Sequence, residues 1–87
     1  MTAAAGLMDV TFQDWEGTRK AELVGVARDT TIGELAYEAV RSLGLPPRGF
    51  YQTLRRGKSL SPGETVEEAG IEPGDDLELF PEVSAGG

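Results

Sequence analysis

Only one stretch of this 87-residue chain repeats its apolar residues at helical spacing for more than a turn. Ile32, Leu35, Ala36, Ala39, Val40 and Leu43 recur at the spacing that places them on one helical stripe. Thr30 or Thr31 can cap the start of this helix, and Glu34 lies near the capping-box position. Gly44 ends it, and Pro46-Pro47 prevents its continuation. A lone amphipathic helix must bury its stripe against something else. The apolar residues elsewhere follow the pattern of strands, so that partner is one sheet, and this helix is its only cover.

The strand signals are short and separated by turn residues. Met8, Val10 and Phe12 alternate with Asp9, Thr11 and Gln13, the period of two of a strand with one buried face. Trp15-Glu16-Gly17-Thr18 follows as a turn, and Arg19 to Ala27 reads as the returning strand of a hairpin. Leu23 and Val24 are adjacent, which leaves the inward face of that strand open and allows a bulge. Phe50 to Arg55 is a third strand, followed by the turn Arg56-Gly57-Lys58 and a short strand or return at Ser59-Leu60-Ser61. Ser61 to Glu64 is a further turn, and Thr65 to Gly70 reads as one helical turn capped by Thr65. Glu72 to Asp75 is a tight turn before a last strand, Asp76 to Phe80, with Leu77 and Leu79 inward and Pro81 as its stop. The order predicts an α+β domain over residues 7–80: a mixed sheet of four to five strands, the first and last central, with one main helix packed across it. Residues 1–6 read as a flexible arm, and 81–87 as a flexible tail projecting from the sheet edge and carrying Gly86-Gly87.

Composition narrows the function. A domain this small holds one core and has no cleft between domains. The chain has no cysteine and no histidine, so it lacks thiolate chemistry, the commonest general acid–base and the commonest metal ligands. It reads as neither an enzyme nor a metal or cofactor protein. A formal net charge of -7 repels phosphate backbones and anionic lipid, so neither nucleic acid nor membrane is an expected partner. No signal-peptide pattern precedes the first strand, and the expected location is the cytoplasm, as a monomer when free.

The segments also carry a family likeness. Thr31-Ile32 opening the helix, Gly44-Leu45-Pro46-Pro47 closing it and Gly57-Lys58-Ser59-Leu60 after the third strand resemble ubiquitin in order and spacing. So do Thr65 to Ile71, Leu77-Glu78-Leu79 and Gly86-Gly87. The resemblance covers nearly everything after Gly6, and it implies the β-grasp fold. The short hairpin and acidic composition resemble bacterial ubiquitin-like proteins that work with activating and conjugating enzymes.

That resemblance implies a protein modifier. An activating enzyme would adenylate the carboxylate of Gly87, with Gly86 as its threading neighbour. The acyl group would pass to a conjugating-enzyme cysteine as a thioester and then to an amine on a protein target, and a deconjugating peptidase could reverse the bond. The positions matching ubiquitin's apolar surface patch are Trp15, Leu54 and Phe80; for Leu54 and Phe80 burial in the core is an equal reading. Lys58 and Lys20 are the only lysines able to accept chain linkages. Arg48, Arg55 and Arg56 form a basic group that either meets an acidic partner or balances the surface.

The departures from ubiquitin matter too. Pro81-Glu82-Val83-Ser84-Ala85 lacks the basic character of ubiquitin's tail and is one residue longer, which implies a dedicated activating enzyme; Glu78 replaces a histidine. Two alternatives stay open: a sulfur carrier with a thiocarboxylate at Gly87, and a non-covalent interaction module that does not use the tail.

Overall fold

The computed structural model describes residues 7–46 and 50–82. The arm at residues 1–6, Pro47, Arg48, Gly49 and residues 83–87, including Gly86 and Gly87, lie outside the described residues. The elements are β1 (Leu7–Asp14), β2 (Lys20–Ala27), α1 (Ile32–Leu43), β3 (Tyr51–Arg55), β4 (Lys58–Leu60) and β5 (Asp76–Pro81). All five strands join one sheet in the order β2-β1-β5-β3-β4. β1 and β5 are parallel, and every other neighbouring pair is antiparallel. This is the mixed sheet with one covering helix that the sequence pattern predicts. The last strand is the middle one, so the chain leaves the sheet at the end of a central strand and not beside a lateral edge.

Alternation along β1 and β5 builds the core. Val10, Phe12, Leu77 and Leu79 have no accessible surface, and Met8 is buried beside them. Helix α1 lays Ile32, Leu35, Ala39, Val40 and Leu43 against this layer. Burying each of these large side chains is worth roughly 1.5–3 kcal/mol before the entropy of ordering the chain is charged against it.

A bulge settles the face of β2. Met8 pairs with Val26 and Val10 pairs with Leu23, so two steps along β1 match three along β2. The extra residue lets Leu23 and Val26 both face the helix while Val24 turns out, 69% exposed. Gly25 takes φ 68° at the bulge, where a side chain would be strained, and its N–H donates to Asp9 Oδ1 at 3.2 Å.

Both ends of α1 are closed by local chemistry. Thr31 is the cap: its hydroxyl accepts from Glu34 N at 3.2 Å, and Glu34 Oε1 accepts from Thr31 N at 3.1 Å. Gly44 adopts φ 72° at the other end, and Leu45 N reaches back to Val40 O at 3.0 Å, burying Leu45. Arg19 adds a cation there, donating to Leu43 O at 3.1 Å and Gly44 O at 3.3 Å.

Thr65 to Gly70 makes the single capped turn that the sequence pattern predicts: Ala69 N donates to Thr65 O, and Gly70 N donates to Glu67 O, three residues back. The turn carries its own capping box, Thr65 with Glu68 at 3.0 Å in both directions. Its neighbourhood supplies acceptors for the first helical N–H groups, Ile32 N to Glu64 O and Gly33 N to Pro62 O. Docking to the helix start, more than helix propensity, holds this segment. One detail differs from the sequence reading: β5 includes Pro81, which pairs with Tyr51, and Glu82 N beyond it still donates to Phe50 O at 2.7 Å. Ladder hydrogen bonds alternate sides along a strand, so the bond at Glu82 directs the Pro81 nitrogen away from β3. On that other side the pairing with β1 has already ended at Asp14–Leu79. A missing N–H therefore costs nothing at this position.

Candidate functional site

The sheet face turned away from α1 is the open one. Register places Ser59, Leu54, Glu78, Gln13 and Lys20 in one row across β4, β3, β5, β1 and β2. Within it Gln13 Nε2 donates to Glu78 Oε2 at 3.1 Å, fixing the carboxylate beside Leu54. Phe80 stands opposite Gln52, two pairs along from Leu54–Glu78. Leu54 and Phe80 are therefore diagonal neighbours on the same face, about 7–8 Å apart by sheet geometry. Neither belongs to the core. Thr53 and Leu79 take the inward positions, and alternation leaves Leu54 half-buried and Phe80 37% exposed. Of the two readings of these residues, the surface one is the structure's.

Trp15 lies one residue beyond the last β1–β5 pair, Asp14–Leu79, in the turn that follows β1. Its ring packs on β3. It stacks on Tyr51 with centroids 6.4 Å apart and planes 30° from parallel. Tyr51 shares the inward parity of Thr53, and its hydroxyl donates to Pro46 O at 2.9 Å. Trp15 thus closes the end of the sheet, 38% exposed, while Leu54 and Phe80 share the open face. The Trp15 ring is thus stacked on the inward-parity Tyr51, whereas Leu54 and Phe80 are neighbours on the open face.

The turn that carries Trp15 is organised by Asp14, a residue whose role the sequence reading missed. Asp14 Oδ1 accepts from Thr18 N at 2.9 Å and Arg19 N at 3.3 Å, and Oδ2 accepts from the Thr18 hydroxyl at 2.9 Å. Burial pushes the Asp14 carboxyl up. The hydrogen bonds from the Thr18 hydroxyl and the Arg19, Thr18 and Gly17 backbones outweigh that and hold it below the usual aspartate value. The available signal was an aspartate opening a Gly-bearing turn. Tyr51 carried none, since a tyrosine in a strand is ordinary.

The basic residues separate. Arg55 Nε bonds Asp75 Oδ2 at 2.8 Å, and the same oxygen accepts from Glu72 N at 2.9 Å, so Arg55 ties β3 to the turn before β5. Arg56 is exposed; with Gly57 it forms the two-residue β3–β4 turn, at φ 54° and 79°. Arg48 lies outside the described residues. Lys20 and Lys58 are both exposed. Among the described residues no group of three or more acidic side chains is arranged to hold a metal ion, and no helix is long and apolar enough to cross a membrane.

Comparison with known proteins places this geometry. No protein-family model matches the chain, and no curated protein matches it. Solved structures do. A designed protein based on ubiquitin is 32% identical with a TM-score of 0.77, over 94% of this chain and 96% of that one. Ubiquitin from Caldiarchaeum subterraneum is 26% identical with a TM-score of 0.75, over 92% of this chain and 99% of that one. The UBL domain of Plasmodium falciparum Dsk2 shares the fold at 18% identity and a TM-score of 0.73, over 87% of this chain and 99% of that one. The fold is therefore the β-grasp of ubiquitin. The chain belongs to the ubiquitin-like family.

Proposed function

We propose that this protein is a ubiquitin-like modifier joined to other proteins through Gly87. The observation that carries the reading is Gly86-Gly87, a short stretch beyond β5 in a chain 26% identical to an archaeal ubiquitin. A carboxylate is a poor electrophile because its oxygen is a poor leaving group. Attack of the Gly87 carboxylate on the α-phosphorus of ATP expels pyrophosphate and leaves an acyl-adenylate. A thiolate of the activating enzyme displaces AMP, a conjugating-enzyme thiolate takes the acyl group, and a target amine displaces that thiolate to form an amide. Glycines suit this chemistry because two residues without side chains pass easily into a narrow channel. The chain supplies the acyl group, and its partner enzymes supply the catalysis.

The open face supplies the recognition surface in this reading. Leu54 and Phe80 are apolar and accessible, and Trp15 is accessible in the turn after β1. An aromatic anchor framed by charge is the usual make-up of a protein-binding hot spot. Glu82 in place of a basic residue on the way to the diglycine favours an activating enzyme dedicated to this chain.

Deletion of Gly86-Gly87 tests the reading. In host extract supplied with ATP, the full chain should form higher-mass adducts and the deleted chain none, with the two melting alike. Undiminished adducts after the deletion would refute conjugation through Gly87.

A further inference from the structure

A groove of about 510 Å³ lies between the later turns of α1 and the start of β3. Val40 and Leu45, both buried, form its floor with Ala36. Tyr37, 63% exposed, and Phe50, 76% exposed, also line it, and they are the two most exposed aromatic side chains among the described residues. Single apolar residues in water are ordinary; two rings meeting on one apolar floor form a patch. The charge of the groove is the reverse of the chain's. The chain has 15 acidic and 8 basic residues, yet among the described residues the only charged one lining the groove is Arg41. Its guanidinium stands 5.9 Å from the centroid of the Tyr37 ring and joins no ion pair among the described residues. The helix dipole favours a cation in the last turn, but it gives no reason for two exposed rings beside that cation. No strand edge is open here. β3 is paired on both sides, and Phe50 O accepts from Glu82 N.

We propose that this groove receives a bulky aliphatic or aromatic side chain of a partner protein that carries an aspartate or glutamate next to it. The apolar side chain would lie on Val40 and Leu45 against the Tyr37 and Phe50 rings, which have few rotors to order on binding. The neighbouring carboxylate would accept from Arg41, a charge-assisted bond at the edge of an apolar contact. Arg41 thereby selects acidic over basic neighbours of the anchor. A second copy of this chain is the poorer occupant. Symmetric pairing through this groove would set Arg41 against Arg41, and the net charge of -7 opposes the approach. The groove is on the helix side of the sheet, so its occupant adds no strand and leaves Leu54 and Phe80 free. Glu82 is bonded to Phe50, so a partner seated here stands beside the start of the tail, whatever the fate of Gly87.

The test uses the full chain, isotope-labelled, titrated with a capped synthetic peptide whose leucine-phenylalanine core lies between aspartates. The same core between lysines is the control. The expected result is amide shifts centred on Ala36 to Arg41 and on Phe50 and Tyr51, with a preference for aspartate flanks of about tenfold or more. Arg41→Glu should reverse that preference. Arg41→Gln, which leaves no charge at the helix end, should abolish it and keep weak binding of the core. A Tyr37→Ala/Phe50→Ala double variant, checked to melt like the parent, should lose affinity for both peptides by about tenfold or more. Equal affinity for both peptides, shifts centred on Leu54 and Phe80 or on β2, or no shifts at millimolar peptide would overturn the proposal. Concentration-dependent shifts at the groove without peptide would overturn it by assigning the groove to a second copy. Nuclear Overhauser contacts from Val83 to Tyr37 or Val40 in the peptide-free chain would overturn it by assigning the groove to the tail.

Discussion

The two faces of the sheet are cut from the same strands and do opposite work. On the helix side, Val10, Phe12, Leu77 and Leu79 are shut away from solvent; one residue along, Thr11, Gln13, Glu78 and Phe80 meet it. The inner set is uniformly apolar and interlocked with α1, so it determines whether the chain folds. The outer set mixes a hydrogen-bonded Gln13–Glu78 pair with the accessible side chains of Leu54 and Phe80. It adds little to stability and is free to be shaped by partners. A family that keeps one fold and changes its partners needs this division, because alternation along a strand lets either face change without the other.

The contrast should be widest for a single truncation on each face. Phe12→Ala leaves a cavity in a layer with no accessible surface and should cost about 3–5 kcal/mol, enough to unfold much of the population of a small domain. Phe80→Ala should shift the urea midpoint by under about 1 kcal/mol. A large loss at Phe80 would break the comparison by making the open face structural. The next effect concerns binding: Trp15→Ala should weaken partner affinity by about 2 kcal/mol if the stacked ring is an anchor. Unchanged affinity in calorimetry would reduce Trp15 to a lid over Tyr51.

Smaller effects probe the devices that hold the two faces in place. Gly25→Ala meets nothing within 4 Å, so its cost is the φ of 68° alone, about 1 kcal/mol by denaturant melt. A neutral result would mean that the bulge relaxes without penalty and that the alignment of Leu23 with Val26 is not fixed by it. Asp14 gives a pH signature. Its carboxyl is held below the usual value, so its contribution is complete above the unfolded pKa of about 3.9 and is lost as pH falls through the lower folded value. Asp14→Asn should flatten the fall in stability below about pH 4 and leave the neutral-pH slope alone. An unchanged acid limb would remove Asp14 as the organiser of the Trp15 turn.

Much of the helix face was legible in the residues, because burial writes a period. Met8, Val10 and Phe12 announced β1, and Ile32 to Leu43 announced α1 with both caps. Other features depended on distance in space. The adjacency of Leu23 and Val24 allowed a bulge, but only the register with Met8 and Val10 settles which residue turns out. Pro81 looked like a strand stop because its lack of an N–H is local, whereas the absence of a neighbour on that side is not. The status of Leu54 and Phe80 hung on strand parity against Thr53 and Leu79. The stack of Trp15 on Tyr51 joins residues 36 positions apart that share no motif. Arg55 read as part of a basic group; its bond to Asp75 makes it a tie between β3 and the turn before β5.

The state of Gly87 in the cell tests the central claim most directly. Mass spectrometry of the protein recovered from its native host, focused on peptides containing Gly86-Gly87, should find the Gly87 carbonyl joined through an amide bond to lysine side chains of other proteins. Finding Gly87 only as a thiocarboxylate, or never covalently joined to another protein, would contradict the account; the first result would make the chain a sulfur carrier, the second a non-covalent module.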